Sequence, residues 1–184
     1  WFILNGELRK GESRRYVYKA SEPVAFDSKI VLEKNHGGVK LVLNEKPILH
    51  YQSREVYPPE GVDPLFKRSG FIHPLWSPGG EELTRIQAPD HYHHYGIWGP
   101  WTKTHIKGRE VDFWNLLKGQ GTVRFANFLS EVEGPVYSGF SALQEHIDFG
   151  AVGADQLALS EVLDVCAWNI DSRGKAWLVD YTST

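Results

Sequence analysis

Apolar and polar residues alternate along much of the chain, which is the pattern of strands with one buried face. Arg15–Lys19 alternates throughout, and Val39–Leu43 alternates in part. Further runs rich in apolar and β-branched residues predict strands at Ser28–Leu32, Pro47–Tyr51 and Gly121–Phe125. Turn signals rich in Gly, Pro and Asn separate the strands at residues 35–38, 44–47, 58–61, 77–80 and 172–175. This spacing predicts an all-β fold, a sandwich or barrel of antiparallel strands.

Helical periodicity is nearly absent from the sequence. Asp112–Leu117 predicts one helical turn, and Ala154–Leu163 fits either two helical turns or a strand. Leu157–Val165 and Trp177–Tyr181 have the pattern of two long strands joined by a turn. The sequence stops at Thr184, directly after this strand signal. We therefore predict that C-terminal strands are missing and that a sheet edge is open, unless a further segment or a second copy completes the sandwich.

Length and charge restrict the classes of protein that fit. A chain of 184 residues without internal repeats predicts a single domain over residues 1–184. The net charge is −3 and no run of Lys or Arg exceeds a pair, so no nucleic-acid surface is expected. No apolar stretch approaches the ~18 residues of a membrane-spanning helix. The single Cys166 and the absence of Met leave a periplasmic, secreted or cytoplasmic location open, with a removed signal peptide among the alternatives.

The densest candidate for chemistry is the segment Asp90–Trp98, which contains three histidines in four positions. In an extended backbone His91 and His93 point to one face of the strand, whereas Asp90 and His94 point to the other. Two imidazoles at this spacing suit an acid–base pair or a divalent metal ion, and a carboxylate such as Asp90 would fix a tautomer. The metal is less favoured, because no Glu follows the His-x-His pair and no His-Glu-x-x-His motif occurs.

Two positions outside this segment are further candidates for catalysis. His73 precedes Pro74, which favours an extended backbone at His73. We give a structural role in a turn and a catalytic role equal weight for this residue. Glu145 precedes His146, and alternation on a strand would send only one of the two into a shared cavity. The remaining histidines are interpreted as structural or exposed: His36, His50 and His105.

Aromatic residues are abundant, with seven Trp, eight Tyr and nine Phe. Many of them fall in the irregular stretch of residues 64–114, where long loops on a β scaffold usually carry function. Flat rings fit the C–H face of a pyranose, and neighbouring polar groups bind its hydroxyls, although a Trp-rich core is the alternative for each ring. We predict five substrate-binding residues: Arg68, Asp90, Tyr95, Trp98 and Trp114. Stacking on nucleic acid would require a basic groove, which the composition lacks.

Four motifs resemble a bacterial family often labelled methane oxygenase PmoA: Arg68–Pro74, Pro78–Gly80, Asp90–Trp98 and Asp112–Trp114. The resemblance covers roughly residues 24 to 184 and implies a sandwich similar to the supersandwich of galactose mutarotases, whose relatives bind or transform sugars. The oxygenase subunit of that name is an integral membrane protein, so methane oxidation is set aside. Tyr95 stands where the family pattern carries Arg; if that Arg pairs with an acidic group, the ligand of this chain is neutral or differently placed.

These observations predict a carbohydrate-active enzyme with His91, His93 and His94 at the floor of its site. One histidine would remove a proton from a sugar, and another histidine or Glu145 would return it, as in mutarotation, epimerisation, elimination or hydrolysis. His73 is a further catalytic candidate. The alternatives are a non-catalytic carbohydrate-binding module, in which the Trp rings provide the affinity, and an oxygenase or hydrolase with a His-ligated metal. The expected partner is a small sugar or an oligosaccharide.

Overall fold

A computed structural model of the protein describes residues 4, 6–20, 22, 29–150, 154–171 and 173–184. Within these ranges the secondary structure is strand and short 3₁₀ turn, without an α-helix, so the all-β prediction is confirmed. The strands are β1 (Ile30–Asn35), β2 (Gly38–Leu43), β3 (Lys46–Gln52), β4 (Phe71–Leu75), β5 (Ile86–Ala88), β6 (His91–Tyr95), β7 (Thr104–Ile106), β8 (Arg109–Val111), β9 (Gly121–Val132), β10 (Tyr137–Asp148), β11 (Gln156–Trp168) and β12 (Leu178–Ser183). The 3₁₀ turns are Pro64–Phe66 and Leu116–Lys118.

Two four-stranded antiparallel sheets form the body of the protein. The first has the order β1-β2-β3-β4, and the second has the order β12-β11-β10-β9. Two small two-stranded sheets, β5–β6 and β7–β8, lie in the irregular stretch between them along the chain. The regular ladders thus form the scaffold, and most of the segment richest in His and Trp lies outside the two large sheets.

The two large sheets pack face to face around one hydrophobic core. Tyr51 of the first sheet and Phe140 of the second meet with ring centroids 4.9 Å apart. Each fully buried large apolar side chain contributes about 1.5–3 kcal/mol to stability. The predicted antiparallel sandwich is therefore confirmed. Its buried residues are Ile30, Val39, Leu41, Leu43, Ile48, Leu49, Tyr51, Ile72, Phe140, Ala142, Leu163, Val165 and Ala167.

Three predictions from local pattern are corrected by the structure. Arg15–Lys19 is exposed and forms no strand. The alternation of polar and apolar residues gives a strand two different faces, but it does not provide the neighbouring strand that a ladder requires. The helical alternative for Ala154–Leu163 is wrong, since Gln156 begins β11 and alternate residues of that strand pack on the core. The helical turn predicted over Asp112–Leu117 is reduced to the 3₁₀ turn at Leu116–Lys118.

The outer strands of the two sheets are β1, β4, β9 and β12, so neither sheet closes into a barrel. Open edges agree with the predicted sandwich, whereas the missing C-terminal strands and the single-domain boundaries stay predictions. Ser28 of a predicted strand and Ser172 of a predicted turn lie outside the described residues. In the described ranges, no helix has the length and apolar character needed to cross a membrane.

Candidate functional site

The three neighbouring histidines lie on β6, which pairs with β5 in an irregular ladder. Ile86 pairs with Tyr95 and Ala88 pairs with His91, so four residue steps along β6 oppose two along β5. On the shorter strand, Gln87 has a positive φ of 50°. A bulge of this kind interrupts the strict alternation of side chains between the two faces of a strand.

The bulge brings all three imidazole rings of β6 together. The ring centroids lie 4.5 Å apart for His93 and His94, 4.7 Å for His91 and His94, and 5.7 Å for His91 and His93. The prediction that His94 faces away from the other two is wrong, because it assumed uninterrupted alternation. We call His91, His93 and His94 the histidine triplet.

Trp114 reaches the histidine triplet from another segment of the chain. Its ring stacks on His94 with centroids 5.4 Å apart and 15° between the planes. It meets His93 edge-on, also with centroids 5.4 Å apart. Trp114 is 36% exposed, so an indole with one face against an imidazole is also open to solvent.

Asp112 holds the segment that carries Trp114. Its Oδ1 accepts hydrogen bonds from the backbone N–H groups of Trp114 and Asn115, both at 2.9 Å, and its Oδ2 pairs with Lys118 at 2.8 Å. Burial raises the pKa of Asp112, but these bonds together lower it below its ordinary value. The sequence analysis did not identify this role. An Asp that precedes a turn and accepts from the backbone two and three residues later is the signal that would have found it.

His93 has a lowered pKa. Burial is the largest cause, followed by electrostatic interactions with His94, His91 and Arg68, whereas Asp112 acts in the opposite direction. A neutral imidazole has a free lone pair, so the setting of His93 suits a proton acceptor at neutral pH.

The other two members of the triplet have different polar surroundings. Nδ1 of His91 lies 3.1 Å from Oδ2 of the exposed Asp90, and this hydrogen bond is the largest cause of the lowered pKa of Asp90. Nε2 of His94 is buried and has no hydrogen-bond partner among the described residues. The triplet therefore contains one ring oriented by a carboxylate and one buried ring nitrogen that no described residue pairs with.

Arg68 and Tyr95 lie beneath this surface. Arg68 is 2% exposed, its Cζ lies 4.0 Å from the Trp98 ring centroid, and its Nη2 donates to the Phe113 carbonyl at 2.8 Å. Burial lowers the pKa of Arg68 to about 9. Tyr95 is fully buried, and its hydroxyl donates to the Phe66 carbonyl. Both side chains support Trp98 from below and present almost no surface to solvent.

His73 and Glu145 make their described contacts elsewhere. His73 shares a hydrogen bond of 2.9 Å with Thr84, and burial lowers its pKa. Glu145 forms an ion pair of 2.9 Å with Arg124 of the neighbouring strand. Along β10 the alternation turns His146 toward the interior and Glu145 outward. Of the adjacent pair, it is thus His146 that enters the sandwich.

His146 forms a buried pair that the sequence analysis missed. Its Nε2 lies 2.8 Å from Oε2 of Glu161, and Oγ of Ser183 donates to Oε1 of Glu161 at 2.6 Å. Burial raises the pKa of Glu161, but these two hydrogen bonds lower it overall. The partners are fifteen residues apart on different strands, so only the register of the β10–β11 ladder reveals the contact.

The side-chain geometry gives no support to a metal centre. Within the part of the chain that the structure describes, no three His, Cys, Asp or Glu side chains are arranged to hold an ion. The triplet packs ring against ring, and this arrangement suits proton transfer and hydrogen bonding.

Comparison with known proteins assigns a family but no activity. A family model described as "Family of unknown function (DUF6807)" matches residues 38–184, which is about four fifths of the chain. No curated protein and no solved structure matches the chain. The PmoA label and the likeness to galactose mutarotases gain no support from these results and stay predictions. The match extends from β2 to the end of β12 and includes the histidine triplet and Trp114, and on this basis the chain belongs to the DUF6807 family of unknown function.

Proposed function

We propose that the histidine triplet and Trp114 form the site of a carbohydrate-active enzyme that transfers protons on a sugar or a glycoside. The observation that carries the proposal is a cluster of three imidazole rings with centroids 4.5 to 5.7 Å apart, two of which contact one part-exposed indole at 5.4 Å. An aromatic face binds the C–H face of a sugar, and adjacent ring nitrogens bind or deprotonate its hydroxyls.

The surroundings of each ring support different roles. His93, with its lowered pKa, is the base that takes a proton from the sugar. His91 returns a proton, because its ring is accessible and Asp90 holds its Nδ1 at 3.1 Å. His94 stacks on Trp114 and contacts His93, so it holds the indole beside the base. Arg68 keeps Trp98 in place and adds positive charge below His93.

A carbohydrate-binding module is the second candidate function. Two exposed indoles favour it, since Trp114 is 36% and Trp101 is 57% exposed. In such a module the stacking area of the rings holds the ligand, and the protonation of histidine has no consequence.

Paired variants in a sugar screen separate the two functions. Wild type, His93→Ala and Trp114→Ala would be assayed against free sugars and aryl glycosides, with His36→Ala as the control because His36 is exposed on the β1–β2 turn. Enzyme function predicts that His93→Ala lowers turnover while sugar affinity changes little. The enzyme proposal fails if His93→Ala keeps full turnover. It also fails if wild type binds a sugar without turning it over and only Trp114→Ala loses this binding. In either case the module is preferred.

A further inference from the structure

A second candidate site lies on the outer face of the sheet formed by β9 to β12. A groove of about 520 Å³ runs across this face, which points away from the hydrophobic core. It shares no lining residue with the histidine triplet or with Trp114. The side chains that define it are Ser130, Ser141, Asp164, Thr182, Tyr137 and Trp168.

One side of the groove is a continuous polar row across four strands. Ser130 pairs with Ser141, Ser141 pairs with Asp164, and Asp164 pairs with Thr182. Adjacent strands lie about 4.8 Å apart, so hydrogen-bonding groups repeat along the row at that interval. Ser141 Oγ donates to Asp164 and so orients the carboxylate, which has further lone pairs for ligand hydroxyls. A row of this kind suits a ligand with several hydroxyl groups.

The other end of the groove is aromatic. The rings of Tyr137 and Trp168 lie with centroids 5.3 Å apart, and Trp168 Nε1 donates to Asp180 at 2.8 Å. Between this aromatic end and the polar row lies Gly139, where an added Cβ would clash with the carbonyl oxygen of Val165. The glycine is required by the backbone packing, and at its position no side chain fills the groove.

The charges around the groove restrict the ligand further. Its lining contains Glu131, Asp164 and Asp180 but no Lys or Arg. Glu131 pairs with Lys34, and the two aspartates would repel an anionic ligand. Burial, with a smaller effect of Asp180, raises the pKa of Cys166 to about 11. The thiol is therefore protonated and unsuited to act as a nucleophile. Hydroxyls, carboxylates and adjacent aromatic rings without a nucleophile are typical of binding rather than covalent chemistry.

We propose that this groove binds an uncharged carbohydrate chain, independently of the histidine triplet. The sugar faces stack on Tyr137 and Trp168, and their hydroxyls bind Asp164 and the serine and threonine hydroxyls beside it. The groove would hold a polymeric ligand while the triplet acts at a separate position.

Binding of neutral oligosaccharides to matched variants tests this site. Cellohexaose and maltohexaose would be titrated into wild type, Trp168→Ala and Asp164→Asn, with His36→Ala as the control outside both sites, and binding followed by calorimetry. We expect at least one oligosaccharide to bind wild type, and Trp168→Ala and Asp164→Asn each to weaken binding by about tenfold. The control His36→Ala keeps the affinity of wild type.

Three results would overturn the proposal. The first is the absence of binding of either oligosaccharide to wild type, and the second is binding that both groove variants leave unchanged. The third is selective binding of an oligomer of glucosamine that Asp164→Asn abolishes, which would make the ligand a cation. Tyr137→Ala provides a second aromatic variant if Trp168→Ala does not fold. Loss of turnover in His93→Ala with unchanged groove binding would support both sites separately.

Discussion

The histidine triplet on β6 and the buried pair between β10 and β11 place the same type of side chain in two different settings. In the buried pair, His146 and Glu161 are 2% and 8% exposed and lie 2.8 Å apart. In the triplet, His91 is about half exposed, and the buried Nε2 of His94 has no hydrogen-bond partner among the described residues. The first setting uses the hydrogen bond of His146 Nε2 inside the fold, and the second keeps the His91 ring accessible at the surface.

The difference follows from the regularity of the strands. Long ladders such as β10–β11 keep alternating residues turned toward the core, so a polar residue at an inward position requires a partner there. The short β5–β6 ladder contains a bulge and collects three imidazoles close together, only one of which pairs with a carboxylate among the described residues. A histidine in the sandwich therefore contributes to stability, whereas we propose that the histidines of the irregular hairpin act on a ligand. Changing one residue in each region tests this contrast.

The largest expected effect is on turnover in His93→Ala. Removing the proton acceptor is expected to lower turnover by about 10²- to 10⁴-fold, because general base catalysis contributes that much. The free energy of unfolding should change little, since His93 is only partly buried. Steady-state kinetics and urea denaturation, with His36→Ala as the control, measure both quantities. Strong destabilisation with unchanged turnover would assign His93 to the scaffold.

His146→Ala should show the reverse behaviour. It leaves the Glu161 carboxylate buried without its imidazole and is expected to reduce the free energy of unfolding by about 3–5 kcal/mol. The activity per folded molecule should stay near that of wild type. The double variant His146→Leu, Glu161→Leu should recover most of the lost stability, because it removes both polar groups together. A double variant as unstable as His146→Ala alone would contradict this account.

Acid should destabilise wild type through the same pair. The folded protein lowers the pKa of Glu161 below its ordinary value of 4.5. Between the lowered pKa of the folded protein and 4.5, the unfolded chain therefore binds more protons than the folded protein. The stability contributed by Glu161 is present above pH 4.5 and is lost as the pH falls through the pKa of the folded protein. Urea midpoints of wild type and Glu161→Gln between pH 7 and pH 3 measure the contribution. The difference between the two proteins should shrink toward low pH, and a constant difference would refute it.

The smallest expected effect concerns Glu145, which the sequence analysis proposed as catalytic. Its ion pair with Arg124 is partly exposed, so Glu145→Gln should change stability by less than about 1 kcal/mol and leave turnover unchanged. Steady-state kinetics and urea denaturation of Glu145→Gln measure both quantities. A loss of turnover comparable with that of His93→Ala would restore Glu145 to the catalytic role.

The main strands were predictable because their signals are local. Val39–Leu43 falls within β2, Pro47–Tyr51 falls within β3, and the turn signals between them give the order of the first sheet. The pattern failed at Arg15–Lys19, where alternation is present but no neighbouring strand completes a ladder. Local periodicity describes the faces of a strand and contains no information on its partner.

The composition of the candidate site was predictable, but its geometry was not. The density of histidine on β6 is visible in the sequence, whereas the side on which His94 lies depends on the bulge opposite Gln87. The burial of Arg68 depends on Phe113, forty-five residues away, and the partner of His146 depends on strand register. These long-range pairings determine which polar side chains support the site and which remain open to a ligand.

Chemical rescue of His93→Ala tests the central claim most directly. A missing proton acceptor can be replaced by free imidazole, whereas a lost structural contact cannot. With any sugar substrate that the screen identifies, the turnover of His93→Ala should rise with imidazole concentration, and the rise should follow the neutral form of imidazole as the pH increases. His36→Ala and wild type should not respond. Turnover in His93→Ala that is unaffected by imidazole at every pH would contradict the role of the histidine triplet in proton transfer.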